Sequence, residues 1–174
     1  AHSLNQPWLQ SQLEGSTKPH VFVFGHEPAF RALPRECLDV YPVARNTFWY
    51  SLQRGGARMY FCGHDHFFDH ARVKDGAGNW VHQYIAGAGG APLYHWAGSY
   101  SDGSVEGIAH SERYGYAVVD VNGLDVTITY KDRVAPGVYE PFDVYSYASP
   151  LAPQAGFSAS PLSAPCRIQA RAGD

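Results

Sequence analysis

His20-Val-Phe-Val-Phe24 running into Gly25-His26-Glu27-Pro28, and Ala57-Arg-Met-Tyr-Phe-Cys62 running into Gly63-His64-Asp65-His66, are the two stretches that decide the fold. Each opens as a short continuous apolar run, the pattern of a strand buried on both faces of a sheet. Each closes on Gly, and in both a His stands two residues beyond the last strand residue. Between them, 45–55 (Arg-Asn-Thr-Phe-Trp-Tyr-Ser-Leu-Gln-Arg-Gly) places Phe48, Trp49 and Leu52 on one helical face and stops at Gly55-Gly56. Strand, helix, strand predicts a crossover unit, hence two parallel strands whose C-terminal ends lie side by side. The fold class expected is α/β.

Upstream, Asn5 is placed to cap, Pro7 fits a first turn, and Trp8, Leu9 and Leu13 give a short helix over 5–13 one apolar side. Downstream, Phe67 to Ile85 reads as two strands around a turn at 75–79. Residues 86–90 form a Gly-rich loop, and 97–113, polar and without periodicity, a long loop. Asn122-Gly123 marks a hairpin between strands at 114–121 and 125–130. The expected domain runs over 1–148, and 149–174, rich in Ala, Ser and Pro, forms an arm lying on the domain or a linker.

Composition narrows the function classes. Apolar residues make up 45%, enough for a packed core, and no apolar run is long enough to span a bilayer. Lys and Arg total 13 against 16 acidic residues and are scattered, so no nucleic-acid patch is expected. Three cysteines, Cys37, Cys62 and Cys166, match no zinc-knuckle spacing; Cys62 lies in an apolar run and reads as a buried small hydrophobe. Abundant Tyr, Trp, Gly and Ser with few Lys lean towards an exported protein. The chain opens at Ala1 with neither Met nor a signal-type apolar segment, which reads as a processed N-terminus or the start of a fragment.

Ligand-binding groups of open α/β sheets gather at the C-terminal ends of strands. His26, His64 and His66 converge there on the reading above, with glycine supplying the backbone turn. Three imidazoles suit Zn, Mn or Fe rather than Ca or Mg. His2, His20, His82, His95 and His110 read as surface or satisfied histidines. A competing motif, His64-Asp-His66-Phe-Phe-Asp69-His70, resembles the His-x-His-x-Asp-His of metallo-β-lactamase-like hydrolases. It stands out of step by one residue, which redirects both later side chains, so it is rejected; Asp69 and His70, like Glu27 and Asp65, are kept as residues of a second shell or cleft.

Leu4-Asn-Gln-Pro-Trp8-Leu9-Gln-Ser-Gln-Leu13 resembles the Trp-Leu helix of calcineurin-like metallophosphoesterases, the superfamily that includes purple acid phosphatases. Val21–Pro28 looks like their lone-His motif, Met59–His66 like their Gly-His-x-His motif, and Tyr84–Tyr94 like the Gly-rich strand end that follows it. The resemblance covers about 4–130. It implies the C-terminal half of a four-layer αββα sandwich, with a following hairpin region. It implies two metal ions, His26 and His64 on one and His66 on the other, that clamp a phosphate mono- or diester and activate a water. No residue here matches the family's Asp-x-His, Gly-Asp and Gly-Asn-His motifs, so catalytic residues are unassigned. The expectation is a metal-dependent phosphoesterase completed by an N-terminal half or a partner subunit. The alternatives are a non-catalytic assembly module derived from the same fold and a single-site zinc domain using His26, His64 and His66.

Overall fold

The computed structural model describes residues 4–32, 37–74, 78–96, 98–100, 102–149 and 167–169. The fold is mixed α/β: helices α1 (Gln6–Glu14) and α2 (Pro42–Arg54), a five-stranded sheet and a four-stranded sheet. The first sheet runs β1 (Phe22–Phe24), β2 (Met59–Cys62), β4 (Trp80–Ala86), β3 (Phe68–Lys74), β5 (Val105–Ser111) across its width. β1, β2 and β4 are parallel, with Phe22 opposite Met59 and Met59 opposite His82. β3 is antiparallel to β4 and to β5. The second sheet is antiparallel, in the order β8 (Val138–Ala148), β7 (Asp125–Ala135), β6 (Gly115–Asn122), β9 (Arg167–Gln169).

α1 forms where Asn5 accepts the Trp8 N–H at 3.2 Å and Pro7 occupies the first turn, a position that needs no donor. α2 opens at Pro42 for the same reason, three residues before the start its apolar spacing indicates. One core packs the helices on the first sheet through Leu13, Phe48, Trp49, Leu52, Tyr60 and Ile85. A second lies between the sheets and is built from Met59, Phe61, Phe68, Tyr84, Ile128 and Tyr130, with Phe68 and Tyr130 stacked at 3.7 Å. The layers are therefore helices, sheet, sheet.

Several expectations need correcting. β1 is not buried on both faces: it is an edge strand, and Phe24 is 58% exposed. The long loop at 97–113 contains β5, which pairs with β3 from Val73↔Val105 to Phe68↔Ser111. Its short, polar edge sequence has no two-residue alternation because only its end is covered. Beyond 148, the described part of the arm lies on the domain. Ser149 donates its N–H to Leu124 O, and Arg167–Gln169 returns to pair with β6. The remainder of the arm, His2, Cys166 and the Cys37 side chain lie outside the described residues. The β6–β7 turn is centred on Gly123-Leu124 rather than Asn122-Gly123: Asn122 already pairs with Asp125, and Gly123 takes φ +60° at the first central position.

Candidate metal centre

β1 and β2 end side by side, and Gly25 donates its N–H to Phe61 O while Gly63 donates to His26 O, both at 3.0 Å. Those two bonds carry the parallel ladder past the strand ends and bring His26 and His64 together. His26 Nε2 and His64 Nδ1 are 3.3 Å apart, with the rings edge to face. His64 itself takes φ +68°, the left-handed region, among the described residues the sole non-glycine to do so. The turning role expected of Gly63 therefore falls on His64. Gly25 is required for space, since a Cβ there would stand 2.2 Å from the Tyr60 hydroxyl.

Two nitrogens bound to one tetrahedral zinc at 2.0–2.1 Å lie about 3.3 Å apart, so the observed spacing fits a chelating pair when both facing nitrogens are bare. Otherwise one ring donates a hydrogen bond to the other. His66 is placed differently. Its Nδ1 lies 2.9 Å from Pro92 O, and its ring stacks on Tyr94 at 4.2 Å. A carbonyl only accepts, so Nδ1 carries the proton, and in the neutral ring Nε2 is bare, the arrangement of a metal-ligating imidazole held by a neighbour. Among the described residues no group of three or more His, Cys, Asp or Glu converges for a metal ion. The donors thus fit a metal in part: one imidazole pair, and one oriented imidazole outside it.

Asp65, between the two histidines, does not face them. It is fully buried and paired with Arg31, accepting from both Nη2 and Nε, the latter at 3.2 Å. Its backbone carbonyl accepts from Phe67 N and abuts Gly87, where a Cβ would stand 1.9 Å away. Asp65 is the fixture of this turn. Glu27 contributes its backbone carbonyl to the Tyr60 hydroxyl at 2.6 Å.

Asp69 and His70 are engaged away from the three histidines. Asp69 accepts from the Tyr100 hydroxyl at 2.8 Å, and burial pushes its carboxyl above the usual range. His70 donates Nδ1–H to Asp143 at 2.8 Å across the gap between the sheets, and its Nε2 lies 2.8 Å from His82 Nδ1 on the neighbouring strand of the first sheet. Burial, then the proximity of His70 and Arg72, lowers the pKa of His82 to about 3, so it stays neutral. This three-strand network was not visible in sequence, because His70, His82 and Asp143 share no local spacing.

No family model matches the chain, and no curated protein matches it. Among solved structures, it is similar to one described as GAP50, the anchor in the inner membrane complex of Plasmodium, with a TM-score of 0.63 and 14% identity, over 83% of this chain and 42% of that chain. Identity that low speaks to fold alone, and this chain spans less than half the length of that one.

Proposed function

We propose that this chain carries the histidine half of a two-metal centre for phosphoester hydrolysis in a metallophosphoesterase-type αββα fold. The single observation carrying it is the His26–His64 pair, two imidazole nitrogens 3.3 Å apart at the C-terminal ends of neighbouring parallel strands. His26 and His64 would hold one Zn, Mn or Fe ion, and His66, through its bare Nε2, would serve a second. Such ions supply Lewis-acid polarisation of a phosphoryl oxygen. What this chain does for that chemistry is to orient the donors. Arg31 and Asp65 lock the turn, and Pro92 O fixes the tautomer of His66. The other donors would come from a further segment of a longer polypeptide or from a partner subunit. Isothermal titration of the full chain with Zn²⁺, beside the His26→Asn and His64→Asn variants, tests this. Stoichiometric binding that both variants lose is expected, and binding indifferent to both would overturn it. Hydrolysis of an aryl phosphate is expected only once the missing donors are supplied.

A second reading, an assembly module on the same fold, is favoured by a different observation. Among the described residues β1 is paired on one side only, and its outer edge lies beside α1, where Trp8 and Phe24 are 59% and 58% exposed around a cavity of about 500 Å³. An unpaired edge is a template for strand addition. Light scattering separates the two readings: a monomer at all concentrations argues against self-assembly, and binding of Zn²⁺ argues for the metal centre.

A further inference from the structure

We propose that Glu112 is a positioning residue for His66, acting through the segment Pro92–Trp96. This rests on the metal-centre reading only in treating His66 as a ligand; the contacts stand without it. The segment has no regular secondary structure, so its conformation depends on what holds it at each end. At the near end it grips His66 on three sides. Tyr94 donates its N–H to His66 O at 3.0 Å, Pro92 O takes the His66 Nδ1 proton, and the Tyr94 ring lies flat on the imidazole.

At the far end both carboxylate oxygens of Glu112 are engaged. Oε1 accepts the Trp96 N–H at 2.8 Å, and Oε2 accepts from His95 Nδ1 at 3.0 Å. Charge-assisted bonds of this kind are about twice as strong as neutral ones. Glu112 is itself held, because it follows the last residue of β5. There the Ser111 hydroxyl reaches Asp132 of the second sheet at 2.8 and 2.9 Å. The Trp96 ring rests on His110 at 4.3 Å, and His110 meets Phe67, the residue after His66, edge to face. The segment is therefore a brace from a strand end fixed in both sheets to one imidazole. Release at Glu112 frees Pro92 O, and with it the choice of which His66 nitrogen carries the proton.

The test is the tautomer of His66, read by long-range proton–nitrogen correlation on the ¹⁵N-histidine-labelled full chain and assigned by the resonance lost in His66→Gln. Wild type should show a single form protonated at Nδ1. Glu112→Ala should show a mixture of the two tautomers, while Zn²⁺ binding at the His26–His64 pair stays as in wild type. Glu112→Gln should restore the wild-type tautomer, because its side-chain oxygen still accepts from Trp96. Glu112 is 36% exposed, so truncation removes little packing. Should the alanine variant not fold, Glu112→Asp, too short to reach both partners, takes its place in the same reading. An unaltered single tautomer in the truncated variant would overturn the proposal. Absence of Zn²⁺ binding in every variant, wild type included, would instead overturn the metal-centre reading, with the tautomer result deciding the brace on its own.

Discussion

Removal of the Asp65 carboxylate is the perturbation whose size follows most directly from the structure. Arg31 and Asp65 are 5% and 0% exposed, so Asp65→Ala leaves a guanidinium out of water without its counter-charge. Breaking a buried pair from one side costs about 3–5 kcal/mol. A domain of this size has roughly 5–15 kcal/mol in total, so about a fifth or more of the stability goes with one side chain. With a urea slope of about 2 kcal/mol per molar, the unfolding midpoint should fall by roughly 1.5–2.5 M. Arg31→Met should cost a similar amount, since it strands the carboxylate. The double variant Arg31→Met, Asp65→Leu should recover most of the loss, because an apolar pair of like volume replaces the ion pair without desolvating a charge. Urea unfolding, followed by tryptophan fluorescence, of wild type, Arg31→Met, Asp65→Leu and their double variant completes the cycle, with Asp65→Ala measured beside it. If Asp65→Ala costs less than about 1 kcal/mol, or if the losses of Arg31→Met and Asp65→Leu simply add in the double variant, Asp65 is not the fixture of the His64–His66 turn and the argument fails.

Three further outcomes are expected. The His82 pKa is depressed from 6.5 to about 3 in the folded chain, so below pH 6.5 the unfolded chain takes up a proton that the folded chain refuses. Stability is unaffected by this group above 6.5 and falls as pH drops from there towards about 3, by up to ~1.4 kcal/mol per pH unit; in His82→Gln the slope of unfolding free energy between pH 6.5 and 4.5 should be flatter by that amount. Gly87→Ala forces a Cβ onto Asp65 O and should cost ~1–3 kcal/mol by thermal melting, whereas Gly63→Ala, whose nearest neighbour is His26 O at 4.0 Å, should be near neutral. His64→Gly removes the penalty of the left-handed backbone and should leave the fold unchanged or up to about 1 kcal/mol more stable while abolishing Zn²⁺ binding.

What could be read in the sequence was what short-range chemistry dictates. The Asn5 cap, the Pro7 turn, the crossover from β1 through α2 to β2, and a His two residues past each strand are all local, and all are present. Burial of β1 was misjudged because an apolar run looks the same at the edge and the centre of a sheet. Only strand order, a non-local property, leaves Phe24 in solvent. β5 escaped because an edge strand paired on one side needs little of its own pattern. β8 did carry a signal: Val, Tyr and Phe recur from 138 to 147, and Pro141, which excludes a central strand, is tolerated because β8 lies at the edge. The site was half legible. The strand–Gly–His spacing placed the imidazole pair, but the Arg31–Asp65 lock and the Glu112 brace join residues far apart in sequence.

The parallel pairing of β1 with β2 also sets an order of events in time. Neighbouring strands here are separated by the whole of α2, so the ladder forms only after a long loop has closed, a slow step compared with hairpins such as β6–β7. With three residues bonded, among the described residues, along one side only, β1 is the element expected to exchange its amide protons first, at a free energy below that of global unfolding. The imidazole pair is thus assembled late and comes apart early. An ion held between His26 and His64 would slow that opening, and the protection of Phe22, Val23 and Phe24 would record its occupancy.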